Sequence, residues 1–232
     1  MPASARDTVQ FRLASDDSLL IYCDQYISLS GHQRVVKLVR RLEQQPISGI
    51  DNLHPAYCSV LIKFDALKLC HAELETLLYP YLDRLDEVTL PEHAHREIPV
   101  CYGGEYGPDL ADVCKAHDLS AKQVIDLHVS ATYTVYFLGF VPGFAYLGGL
   151  PEALVMPRLP VPRRRVPPGS VGIAGHQSGV YPFATPGGWR LIGRTPLAMF
   201  RPDRAAMSYL SIGDRVHFTP ISMEEFSILE KS

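Results

Sequence analysis

Between Leu127 and Pro202 the charged residues are seven arginines and one glutamate: Arg158, Arg163, Arg164, Arg165, Arg190, Arg194, Arg201 and Glu152. This stretch carries +6, so the rest of the chain carries −9 to reach the formal total of −3. Every base in it is arginine, whose planar fork grips carboxylates and phosphates in two-point geometry. Two readings stay open. The arginines form an anion site or a face for an acidic partner, or they pair with the acidic first half or a partner subunit. Two histidines belong to the same stretch. His128 closes a predicted helix and could act as a general base or touch a partner. His176 lies in the turn Gly175–Gly179, close in sequence to Tyr181.

Other chemistry-bearing strings are weaker. Gly188–Thr195 spells a phosphate-loop pattern with Arg194 in place of lysine, but Trp189–Ile192 reads as a strand and Pro196 blocks a following helix. Gly103-Gly-Glu-Tyr-Gly107 is read first as a tight turn entering a helix, with an anion cradle as the alternative. His93 and His95 form an HxH pair without further placed ligands, and no metal is expected. No GxSxG elbow or zinc-protease helix occurs. A single carboxylate in the basic stretch cannot supply a paired-carboxylate mechanism. These features favour a subunit or binding module over a self-sufficient enzyme. Five cysteines, an odd number with no CxxC, read as reduced thiols.

The elements that must position these groups fall into two halves. Gln10–Leu13 and Leu19–Cys23 suit strands around an Asp16-Asp17 turn. Val35, Leu38, Val39 and Leu42 have helical spacing within Gly31–Gln45. Tyr57–Phe64 alternates as a strand, and His71–Leu85 carries a second apolar stripe that Pro80 should kink. Ile98–Tyr102 then returns as a strand. The order ββαβαβ predicts an α/β sandwich over residues 8–102. Residues 103–130 read as a connector with helices at Asp109–His117 and Ala121–Val129. Residues 131–222 read as a compact β barrel. Eleven glycines and eleven prolines between Gly139 and Pro202 punctuate strands at Ser170–Ala174, Gly179–Tyr181, Trp189–Ile192, Leu197–Phe200 and Arg215–Thr219.

The chain has 232 residues, 47% hydrophobic and 20% charged, enough for a substantial core. Its slightly negative charge argues against a nucleic-acid or membrane-surface binder. No apolar run approaches the ~20 residues that span a bilayer. The first residues lack a signal or transit pattern, so a cytoplasmic protein is expected.

Several long strings occur in fixed order: Tyr102-Gly-Gly-Glu-Tyr-Gly-Pro-Asp-Leu110, His128, Gly139-Phe-Val-Pro-Gly-Phe-Ala-Tyr-Leu147, Pro157-Arg158, Pro162-Arg163, Val166–Gly175, Gly179-Val-Tyr-Pro182 and Pro186–Pro196. Together they resemble the KipI / allophanate hydrolase subunit 1 family, with Ser178 where threonine is expected. The resemblance covers about Arg12 to Thr219. It implies an α+β fold, a ferredoxin-like α/β sandwich followed by a cyclophilin-like β barrel. It implies a non-autonomous subunit of an ATP-dependent 5-oxoprolinase that opens 5-oxo-L-proline to L-glutamate. The implied partners are a KipA-like subunit and a LamB/YcsF-family subunit, with ATP as cosubstrate. The expected site is the arginine-rich face: Arg158, Arg163, Arg194 and Tyr181 for substrate, with His128 and His176 in catalysis. The family also suggests two other roles. One is inhibition of a sensor histidine kinase through a groove at Phe140, Phe144 and Tyr146. The other is a carboxyltransferase-like role related to urea carboxylase, for which biotin would arrive on another protein.

Overall fold

The computed structural model describes residues 9–90 and 92–231. The chain divides into two compact units, residues 1–92 and 93–232.

The first unit is a four-stranded antiparallel sheet with two helices. Its order is β1-β2-β4-β3. The hairpin β1 (Gln10–Ser15) and β2 (Ser18–Tyr22) turns at Asp16-Asp17, as predicted. Helix α1 (Leu29–Gln44) begins two residues before the predicted start, because Ser28 caps it by accepting the Gly31 N–H at 2.9 Å. Strand β4 (Ser59–Phe64) turns Val60, Ile62 and Phe64 inward. They meet Leu19 and Ile21 of β2, Val35, Leu38 and Leu42 of α1, and Leu74, Leu78 and Leu82 of α2 (His71–Leu82) in one core. Helix α2 ends two residues after Pro80, short of the predicted Leu85. Proline has no N–H to give the fourth carbonyl behind it, so the helix is weakened there.

Over the predicted sandwich, residues 8–102, one strand was missed and one was misassigned. Strand β3 (Ile50–Pro55) forms the sheet edge, where its IDNLHP sequence is half-exposed and has no apolar rhythm to read. The predicted return strand is β5 (His95–Tyr102), and it joins the second unit. It pairs in parallel with β13 (Arg215–Pro220) and antiparallel with β12 (Arg190–Arg194). The first unit is therefore ββαββα, and the boundary falls at residues 92/93 rather than after 102.

The second unit is a closed seven-stranded barrel in the order β10-β7-β6-β13-β5-β12-β9. Its remaining strands are β6 (Tyr133–Leu138), β7 (Ala145–Gly148), β9 (Ser170–Ala174) and β10 (Gln177–Val180). Closure leaves these strands no free edges. Val100, Tyr133, Val135, Leu147, Ile173, Val216 and Phe218 fill the interior. The predicted connector belongs to this unit. Helices α3 (Leu110–His117) and α4 (Ala121–Ser130) send Leu110, Val113 and Val124 into the same core. Strands β8 (Arg163–Val166) and β11 (Thr185–Gly187) form a separate two-stranded ribbon. Leu197–Phe200 is not a strand; Phe200 makes one isolated bridge to Ser208. A short helix α5 (Met223–Leu229) ends the unit.

Candidate functional site

The turn Gly139–Phe144 joins β6 to β7 and brings three predicted groove residues together. Gly139 N–H bonds the Phe144 carbonyl at 3.1 Å, and Phe144 N–H bonds the Val141 carbonyl at 3.1 Å. Phe144 is 2% exposed and sits at the centre of an aromatic cluster. Its ring meets Phe140, Tyr146, Tyr181 and Trp189 edge-on, at centroid distances of 5.5, 4.9, 5.2 and 5.5 Å. Each such pair contributes about 0.5–1.5 kcal/mol beyond area burial, so the cluster is rigid. Phe140 differs from the rest. It is 59% exposed and holds φ +68, a left-handed conformation that costs a non-glycine residue about 1 kcal/mol or more.

The cluster walls a cavity of about 200 Å³. Phe140, Phe144, Tyr146, Tyr181 and Trp189 form its aromatic side. Pro162, Pro186, Gly187 and Gly188 close the other side from the β8–β11 ribbon and its flanks. Gly187 is required there, since a Cβ would stand 2.5 Å from the Tyr181 hydroxyl. Arg158 supplies the one charged group of the lining, and no carboxylate pairs with it among the described residues. Burial pushes the Tyr146 and Tyr181 phenols above their ordinary value, opposed at Tyr146 by the Arg158 guanidinium and at Tyr181 first by a hydrogen bond with the Trp189 backbone and then by Arg158. Both are neutral hydroxyls near pH 7. Small, apolar-walled and singly cationic, the cavity suits a compact organic anion.

The structure thus gathers Phe140, Phe144, Tyr146, Tyr181 and Arg158 around one cavity and sends the other predicted residues elsewhere. His128 lies away from the cavity. It has no exposed surface and lies inside the barrel, against the rings of Tyr102, Tyr133 and Phe218. Burial pulls its imidazole down from 6.5 to about 3, so it is neutral. The Tyr102 hydroxyl donates to Nδ1 at 2.8 Å, which leaves Nε2–H to donate to Ser178 Oγ at 3.2 Å. The Ser178 hydroxyl in turn donates to the Gly172 carbonyl at 3.4 Å. A hydroxyl at position 178 is therefore used, and His128 is a satisfied core group rather than a base facing solvent.

His176 is exposed and pairs with Glu152 at 3.3 Å, outside the cavity lining. Arg194 also lies outside the cavity lining. Its Nε donates to the Pro168 carbonyl at 2.8 Å, its guanidinium lies 5.6 Å from the Phe226 ring centre, and Nη2 reaches Glu230 at 3.6 Å. Arg163 donates to Asp109 Oδ1 at 2.6 Å. Arg190 and Arg201 pair with Asp112 and Asp203. Four arginines are paired within the second unit, while Arg158, Arg164 and Arg165 have no acidic partner among the described residues.

The weaker motifs resolve structurally. The phosphate-loop string is strand β12, with Gly193 packed under Val100 where a Cβ would come within 2.5 Å. The turn at Gly103–Gly107 is a tight entry to α3, fixed by Gly103 N–H to the Ile192 carbonyl at 3.0 Å. His95 stacks on His217 at 6.4 Å. Sequence reasoning missed Asp109, a buried carboxylate within the YGPDL string. The sequence placed it only as the first residue of the helix Asp109–His117.

Comparison with known proteins follows the same residues. The chain is 39% identical over 231 residues to a 5-oxoprolinase subunit of Bacillus subtilis, covering 94% of this chain and 96% of that protein. It is 42% identical over 219 residues to the equivalent 5-oxoprolinase subunit of Escherichia coli O157:H7, covering 90% and 94%. The crystal structure of TTHA0988 superposes with a TM-score of 0.77 at 35% identity over 92% of this chain; the chain spans 40% of that solved one. The family described as carboxyltransferase domain, subdomain C and D, matches residues 9–210. That span holds the pocket strings, the first sheet and every barrel strand except β13, and the chain belongs to the carboxyltransferase subdomain C and D family.

Proposed function

We propose that this chain is a subunit of an ATP-dependent 5-oxoprolinase and that its aromatic cavity receives the carboxylate-bearing ring of 5-oxo-L-proline. The observation that carries the reading is the end-to-end likeness to the 5-oxoprolinase subunit of Bacillus subtilis, 94% of one chain against 96% of the other. The cavity supplies a chemical rationale. Arg158 grips the carboxylate, and the faces of Phe144, Tyr146 and Trp189 pack on the five-membered ring.

The lactam is a relaxed amide and a poor electrophile. Phosphorylating its oxygen with ATP makes the carbonyl carbon electrophilic. Water then adds to that carbon, the C–N bond breaks with the protonated amine as leaving group to give the γ-glutamyl phosphate, and a second water displaces phosphate to leave glutamate. The string most like a phosphate loop is strand β12 here, so we assign ATP binding to another subunit. The partners are a KipA-like and a LamB/YcsF-like subunit, and the site of action is cytoplasmic. No helix among the described residues is long and apolar enough to cross a membrane.

The test is reconstitution. This chain, alone and mixed with both partner subunits, is assayed for glutamate released from 5-oxoproline with and without ATP. Turnover only in the full mixture with ATP is the expected result. A stable complex with no turnover sinks the reading and moves the weight to a carboxyltransferase-like role, which the family description favours next.

A further inference from the structure

Asp109 stands at the cap position before α3, yet its side chain makes no cap hydrogen bond. Aspartate is among the preferred capping residues, and giving up a cap costs about 1 kcal/mol. Its carboxylate is used elsewhere. Oδ2 accepts the Leu191 N–H at 2.7 Å, and Oδ1 accepts from Arg163 Nη2 at 2.6 Å. The Asp109 N–H also bonds the Leu191 carbonyl at 2.9 Å, so this residue is fastened to β12 from both sides. Asp109 is only 5% exposed. A carboxylate that deep needs a cation, and Arg163 is the one the structure gives it.

Arg163 is the first residue of β8, and Gly187 lies opposite it in the β8–β11 pairing. Pro162 and Gly187 are walls of the cavity. The ribbon stands outside the barrel ladder, and two strands alone are marginally stable. Val166, buried among the aromatic residues, fixes the far end of β8. The Arg163–Asp109 pair fixes the cavity end. We propose that Asp109 and Arg163 form a latch that holds the ribbon against the aromatic cluster and so sets the width of the cavity. Asp109 is a positioning residue acting through Arg163.

The inference rests on the proposed 5-oxoproline site only for the identity of the ligand, and the test separates the two. Trp189 is the sole tryptophan, and it is a wall of the cavity. Its collisional quenching by acrylamide therefore reports the opening of the ribbon directly, in the full chain and without ligand. Asp109→Asn keeps an acceptor for Leu191 N–H and removes the charge. Arg163→Lys keeps the charge and removes the fork. Quenching rises in Asp109→Asn and in Arg163→Gln and rises less in Arg163→Lys, with the far-ultraviolet spectrum unchanged. Should Asp109→Asn fail to fold, the two Arg163 variants carry the test alone. Binding of 5-oxoproline, followed by Trp189 emission, weakens about tenfold in Asp109→Asn. Quenching equal to wild type in these folded variants overturns the latch. Increased quenching with no response of the wild type to 5-oxoproline upholds the latch and removes the ligand assignment.

Discussion

The barrel interior around His128 and the cavity around Phe144 both draw on residues of the family strings, yet they do opposite things. In the interior, an imidazole, two phenols and a serine hydroxyl are joined by hydrogen bonds and sealed by Phe218. In the cavity, the Phe140 ring reaches the surface beside buried Phe144, Tyr181 and Trp189, and a guanidinium has no acidic partner among the described residues. Polar groups that are fully satisfied and buried hold a fold in register. Apolar groups left open beside an unpaired charge are where a ligand gains most by binding. Residue type alone pointed to the histidine. Exposure and pairing point to the rings and Arg158.

The largest effect that can sharpen this contrast is on stability. His128→Ala removes a ring packed against three aromatic neighbours and leaves the hydroxyls of Tyr102 and Ser178 short of a partner. We expect a loss of about 3–5 kcal/mol in chemical unfolding. A loss under about 1 kcal/mol, the scale of an ordinary surface change, refutes the interior reading. Arg158→Ala should leave stability unchanged and lower kcat/KM of the reconstituted enzyme about 100-fold, the scale of a lost charge-assisted bond. Wild-type turnover would remove Arg158 from the site.

The next effect is one of pH. In the unfolded chain His128 takes a proton below its ordinary value of 6.5, whereas in the barrel burial delays this to about 3. The unfolded state binds more protons across that window, so His128 favours folding fully above 6.5 and loses its contribution as pH falls. Its share of the slope is about 1.4 kcal/mol per pH unit. Urea midpoints of wild type and His128→Gln between pH 7 and 5 measure it, and parallel curves would show that the imidazole titrates normally.

Gly187→Ala tests the cavity from its other wall. The added methyl meets the Tyr181 hydroxyl at 2.5 Å, so the ribbon or the ring must shift at a cost of about 1–3 kcal/mol. Weaker 5-oxoproline binding should accompany it, and unchanged binding argues that the ligand sits elsewhere. The smallest effect is expected at Arg194. It lies along Phe226 and Pro168 rather than in the cavity, so Arg194→Ala should change stability by about 1 kcal/mol or less and leave KM unaltered. A large rise in KM would return Arg194 to the site.

Much was legible in the sequence because local rules governed it. The apolar stripe of α1, the alternation of β4 and the turn at Asp16-Asp17 are periodicities of neighbouring residues, and they fold as read. The concentration of glycine and proline after Gly139 marked a barrel because short strands need many turns. Tertiary structure decided the rest. An edge strand such as β3 buries too little to show a pattern. The assignment of β5 to the barrel depends on β13, more than 100 residues later, whose pairing no local window contains. Which arginines are free is likewise a matter of which carboxylates fold against them. Arg163 finds Asp109 and Arg194 finds Glu230, while Arg158 is left beside the rings. Sequence alone determined the residue types that could bind an anion and the strings that carry them. Only the closing of the barrel buries one set of polar groups and leaves Arg158 beside the aromatic rings with no carboxylate partner among the described residues.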